Sequence, residues 1–93
     1  MLSNKDKQKL FALSNKLKTR YIIGKDNLDD KVLEMLDKAF LANELIKVAV
    51  NKNANQEVEY FAKEICKELN CSLVKTIGKT MVLYRPKPRR NNQ

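Results

Sequence analysis

The chain has no histidine and no tryptophan, and its 93 residues include only two glycines, two prolines and two cysteines. Without histidine, no Ser-His-Asp triad, Cys-His pair or imidazole metal site can be built from one copy of it. Two cysteines alone cannot close a zinc site, and Cys66 and Cys71, in CKELNC, stand too far apart for a CxxC redox motif. They read as reduced, half-buried thiols of a cytoplasmic protein. No apolar run approaches the roughly 18 residues of a membrane span. The lysine-rich start MLSNKDKQKLFALSNKLK lacks the apolar stretch of a secretory signal, and its thin apolar stripe disfavours a membrane anchor. Paired carboxylates, a nucleophile with its base, and a complete metal-ligand set are all missing from the pattern. Glu57 and Glu64 lie a helical distance apart, but on a solvated face. We therefore expect no catalysis, no cofactor, no metal and no small-molecule substrate.

What the chain does have is positive charge. Nineteen Lys and Arg against 11 Asp and Glu leave a formal charge of +8, while 43% hydrophobic residues supply one domain's core. The charge is segregated along the chain: residues 1–25 carry +6, residues 26–74 carry −4 and residues 75–93 carry +6. If the fold brings the ends together, they make one concentrated positive surface. Nucleic acid is the default partner for such a surface, ahead of an anionic membrane or an acidic protein.

Periodicity divides the chain into seven elements. Residues 4–18 predict a helix with Leu10, Leu13 and Leu17 on one stripe and Ser3 or Asn4 as N-cap. TRYII (19–23) is a short strand ended by Gly24. Residues 29–42 predict a second helix, capped by Asp29 and stopped by a left-handed Asn43. ELIKVAV (44–50) is a mostly apolar buried strand, and NKNAN (51–55) a polar loop. The third helix, 56–69, repeats Val58, Phe61, Ala62, Ile65 and Leu69, and ends at Asn70. CSLVKTI (71–77) and TMVLYR (80–85) are strands joined by Gly78-Lys79, a two-residue hairpin signal. The order α-β-α-β-α-β-β predicts an α/β two-layer sandwich: a four-stranded mixed sheet with three helices, one sheet face open or partly covered. We read residues 1–86 as a single domain and 87–93 as a basic tail too polar to fold alone.

The turn YIIGKDNLDDKVLEML (21–36) places Gly and Lys between a strand and a helix start, where backbone N–H groups and the helix N-terminus favour an anion. By itself this is a weak signal, since Gly-Lys in a turn often means only a turn. Together with LSNKDKQKLFALSNKL, IIGKDNL, NELIKVAV and VKTIGKTMVLYRP, in that order and spacing, the chain resembles the CRM (chloroplast RNA splicing and ribosome maturation) domain in its bacterial single-domain YhbY-like form. The resemblance runs from about residue 2 to residue 87. It implies a fold like the C-terminal domain of translation initiation factor three. It also implies RNA binding through a GxxG loop analogous to that of KH domains, and association with precursors of the large ribosomal subunit. Carried onto this sequence, the loop is Gly24, Lys25, Asp26 and Asn27. Gly24 and Lys25 fit; Asn27 stands where the family has its second Gly, and Asn tolerates the left-handed conformation. Asp26, Asp29 and Asp30 oppose phosphate there, so RNA binding should rest mainly on the basic ends.

The remaining candidate contacts are Lys5, Lys9, Lys16 and Lys18 in the first helix, Lys79 at the hairpin tip, and Arg85, Lys87, Arg89 and Arg90 beyond it. Tyr21, Tyr60 and Tyr84 suit packing better than base stacking, so recognition by shape and phosphate is expected. The reading is an RNA-binding protein acting on ribosomal RNA during large-subunit assembly, with nothing that demands more than a monomer. The alternative is a protein-interaction module that meets an assembly factor or ribosomal protein through the acidic middle.

Overall fold

The computed structural model describes residues 3–17, 20–23, 28–54 and 56–86. Its elements are α1 (Asn4–Ser14), β1 (Tyr21–Ile23), α2 (Asp30–Ala42), β2 (Leu45–Val50), α3 (Val58–Leu69), β3 (Ser72–Ile77) and β4 (Thr80–Tyr84). The predicted order is the observed one. The sheet runs β1-β2-β4-β3, with β1 and β2 parallel and the other pairs antiparallel.

Strand alternation sorts side chains between the two sheet faces. In register, Ile23 pairs with Val50, Val48 with Met81 and Ile46 with Leu83. All of these residues are buried, and they meet Leu36, Ala39 and Phe40 of α2 and Val58, Phe61, Ala62 and Ile65 of α3 in one core. This is the predicted sandwich. On the opposite face, Lys75 pairs with Val82 and Val82 with Lys47. There α1 packs against β3, β2 and β4, with the Lys75 ammonium 4.5 Å from the centre of the Phe11 ring. The second face is thus partly covered, while Ile22 (58% exposed) and Ile77 (51%) lie open at its two edges.

Local chemistry explains most boundaries. Ser3 caps α1 through a reciprocal capping box with Asp6: the Asp6 amide donates to Ser3 Oγ, and the Ser3 amide donates to the Asp6 carboxylate. Asp29 Oδ1 accepts from the Val32 amide at 2.9 Å and caps α2. Asn70 takes the left-handed conformation, φ 56 and ψ 48, and ends α3. Gly78 has φ +56, whereas Lys79 has no positive φ; that pattern fits a two-residue hairpin turn with Gly at its first central position.

Three expectations need correction. The first helix stops at Ser14 rather than residue 18, and its last amides turn to bonds three residues back: Lys16 to Leu13 and Leu17 to Ser14. Its buried residue is Ser14, while Leu13 is 51% exposed. The hydroxyl can be buried because Ser14 Oγ donates to the Phe11 carbonyl at 2.6 Å. Asn43 is extended, φ −141 and ψ 131, not left-handed. Only Asn43 and Glu44 separate α2 from β2, and so short a link needs extended backbone to reach the strand.

Candidate nucleic-acid interface

The sheet divides the charge of the molecule. On one side, the α2–α3 layer over residues 29–42 and 57–69 carries eight acids against four lysines. On the other, α1, which carries Lys5, Lys7 and Lys9, lies on β3, β2 and β4, and Lys75 and Lys47 stand on the sheet face that it covers. Lys5 and Lys9, one turn apart on α1, and Lys16 just beyond it are all exposed. Helical spacing puts Lys5 and Lys9 on the side away from buried Ser14, the side turned from the sheet. Lys47 and Lys75 flank Val82 on the same sheet face. Arg20, exposed just ahead of β1, leads into the edge strand.

One end of the sheet collects three connections. The Val50 amide donates to the Lys79 carbonyl at 2.7 Å, and the Asn51 amide donates to the Ile23 carbonyl at 3.0 Å. These two bonds fasten the hairpin tip and the end of β1 to the end of β2. Ile23 is the last described residue before Gly24–Asn27, and Leu28 and the Asp29 cap follow that segment in the sequence. Lys79 is exposed at the hairpin tip. Lys52, also exposed, follows Asn51, whose Oδ1 accepts from the Asn53 amide at 2.8 Å and folds that loop back on itself. The end therefore presents Lys52 and Lys79 on turns anchored by the ladder. It is also the C-terminal end of the parallel pair β1–β2, the position where open α/β sheets commonly bind ligands.

Arg85 has a different setting from the other candidates. Its side chain is 19% exposed. Nη1 donates to Asp37 Oδ1 at 2.8 Å and to the Leu69 carbonyl at 3.1 Å, and Nη2 donates to the Asp37 carbonyl at 3.2 Å. The guanidinium lies 4.8 Å from the centre of the Phe40 ring. It ties the end of β4 to α2 and to the C-terminus of α3, with its donors directed at protein acceptors.

Lys18, Gly24, Lys25, Asn27, Lys87, Arg89 and Arg90 lie outside the described residues. Sequence reasoning passed over Arg20, Lys47, Lys52 and Lys75. For Lys47 the signal was strand alternation: a lysine between Ile46 and Val48 has to face away from the core they enter. Lys75 carried no such signal, because the register of β3 shifts between Leu73 and Lys75. Tyr21 and Tyr84 are half-buried, and Tyr60 packs edge-on against Phe61 with ring centres 5.7 Å apart. Among the described residues, no helix is long and apolar enough to cross a membrane, and no three potential ligand residues cluster for a metal.

Comparison with known proteins gives a consistent picture. The model of the CRS1 / YhbY (CRM) domain matches residues 2–85. The Bacillus subtilis protein named "Probable RNA-binding protein YqeI" is 34% identical over 85 residues, covering 91% of this chain and 88% of that protein. A Haemophilus influenzae protein named "RNA-binding protein" is 35% identical over 85 residues, covering 91% and 86%. The solution structure of SAV1595 from Staphylococcus aureus superposes with a TM-score of 0.79 at 28% identity, covering 99% of this chain and 95% of that one.

Proposed function

This chain belongs to the CRS1 / YhbY (CRM) domain family, and on that premise we propose that it is a non-enzymatic RNA-binding protein that holds ribosomal RNA in large-subunit precursors during assembly. The observation that carries the reading is the separation of charge by the sheet, with Lys5, Lys9, Lys47 and Lys75 on the α1 side and the acid-rich α2–α3 layer on the other. A polyanion approaching the molecule is attracted to the first side and repelled from the second, which orients it before any contact forms. The names of the relatives in Bacillus subtilis and Haemophilus influenzae support RNA as that polyanion.

In this reading, Lys5, Lys9 and Lys16 meet phosphates along and just past α1, and Lys79 and Lys52 meet them at the sheet end where β1 and β2 finish. Contacts of this kind set affinity and orientation without reading base sequence. The described residues offer no aromatic platform, because Tyr21 and Tyr84 are half-buried in strands and Tyr60 stands in the acidic layer. Shape and phosphate spacing, as in a folded ribosomal RNA, then provide the selectivity.

Crosslinking the protein to RNA in cells and mapping the sites tests the proposal. Crosslinks concentrated in large-subunit ribosomal RNA, and co-sedimentation with precursor particles that RNase abolishes, are expected. A complex that survives RNase would mean that protein contacts hold it, as the interaction-module reading requires.

A further inference from the structure

We propose that Cys66 and Cys71 form a reversible dithiol–disulfide pair at the junction of α3 and β3, a modification site for anionic small-molecule disulfides of the glutathione class. The site is built by the way α3 ends. Asn70, left-handed at φ 56, reverses the chain so that the Asn70 and Cys71 amides both donate to the Cys66 carbonyl, the latter at 3.2 Å. This closure brings two cysteines five positions apart to an Sγ–Sγ distance of 3.5 Å. A disulfide needs about 2.05 Å, so side-chain rotation and a small shift of the turn are enough to join them. CxxC spacing is not required, because the helix cap does the work that a shorter motif does elsewhere.

Both thiols are half-buried and line an open depression of about 390 Å³ between α1 and α3, so a small reagent can reach them. Lys7 and Lys63 stand in its wall against a single acid, Glu59, which favours a carboxylate-bearing reagent over a neutral one. The two sulfurs are not equivalent. Cys71 S–H donates to Cys66 Sγ, which lowers the Cys66 thiol below its ordinary value although burial opposes this. The same bond, with burial, pushes Cys71 up, while the Arg85 charge acts the other way. Cys66 is therefore the attacking sulfur and Cys71 the resolving one.

The Cys66 thiolate attacks one sulfur of glutathione disulfide, forming a mixed disulfide and releasing one glutathione thiolate. Cys71 then loses its proton to solvent, and its sulfur attacks Cys66 Sγ and displaces the second glutathione. The protein's two thiols give up two electrons, one Cys66–Cys71 bond forms, and the reagent leaves as two thiols.

The test equilibrates the full chain with mixtures of reduced and oxidised glutathione, alkylates the remaining thiols and weighs the products. Both thiols should disappear in a single step, giving an internal disulfide in a monomeric chain. Cys71→Ser keeps a hydrogen-bond donor but removes the resolving sulfur, so it should accumulate glutathione on Cys66. Cys71→Ala removes the donor as well, and Cys66 should then alkylate several-fold more slowly than in Cys71→Ser, because less of it is thiolate. Circular dichroism of each variant confirms that it is folded. Thiols that stay reduced in excess glutathione disulfide, a stable mixed disulfide on the unaltered chain, or disulfide-linked dimers in place of the internal bond would each overturn the proposal.

Discussion

The amide of Val50 donates to the carbonyl of Lys79 over 2.7 Å, joining the last residue of β2 to the tip of the closing hairpin. That bond uses only backbone, so the Lys79 ammonium is positioned at the sheet end without being needed to hold it. Lys79→Ala should leave stability within about 0.5 kcal/mol of the parent in urea unfolding. It should weaken RNA binding several-fold and make the log–log salt slope shallower by about 0.7–0.9, the loss of one phosphate contact. Filter binding at several salt concentrations reads both effects.

Asp29 combines two opposing roles. Its carboxylate caps α2 by accepting from the Val32 amide at 2.9 Å, and it puts a negative charge two residues after Asn27 in the sequence. Asp29→Ser keeps a capping oxygen and removes the charge. Stability should be nearly unchanged, and RNA affinity should rise roughly two- to fivefold, the scale of an exposed charge interaction. Asp29→Ala should lose about 1 kcal/mol of stability, because it removes the cap together with the charge.

Element order and most caps were legible in the sequence because they are local. Ser3, Asp29 and Asn70 each act on backbone within a few residues, and the period of α3 places Phe61 and Ile65 in the core. What was not legible depended on tertiary geometry. Whether Leu13 or Ser14 faces the protein is decided by how α1 lies on the sheet, and the α1 stripe alone is too thin to fix that rotation. The link from α2 to β2 overrode the left-handed preference of Asn43. In the candidate interface, lysines crowded on one helix were visible at once. Lys47 could be read from alternation, but Lys75 could not, since the register shift in β3 is what turns it to the face it shares with Val82 and Lys47.

Arg85 separates packing from RNA contact. Its guanidinium reaches Asp37 and the Leu69 carbonyl, a fork that a lysine ammonium cannot reproduce. Arg85→Lys should therefore lower stability by about 1–2 kcal/mol, and Arg85→Met by about 2 kcal/mol or more, as the Leu69 carbonyl and Asp37 lose their donor. For the fraction that remains folded, the salt slope of RNA binding should match the parent. Thermal unfolding followed by binding below the transition distinguishes the two effects.

The C-terminal segment is a further source of positive charge, since residues 87–93 contain Lys87, Arg89 and Arg90 and no acid. Ending the chain after Pro86 should weaken RNA binding and flatten the salt slope by up to about 2–3, according to how many of these residues reach phosphate. Unfolding should be unaltered. Unchanged affinity would assign the contacts to α1 and the sheet end alone.

The central claim is that a basic side of the sheet holds RNA through its phosphates. The most direct test is the dissociation constant of the full chain for a large-subunit ribosomal RNA fragment, measured across a series of salt concentrations. With four to six phosphates neutralised, log affinity should fall against log salt with a slope of about −3 to −5. A slope near zero would contradict the account, because binding would then owe nothing to the charge that the fold gathers on that side.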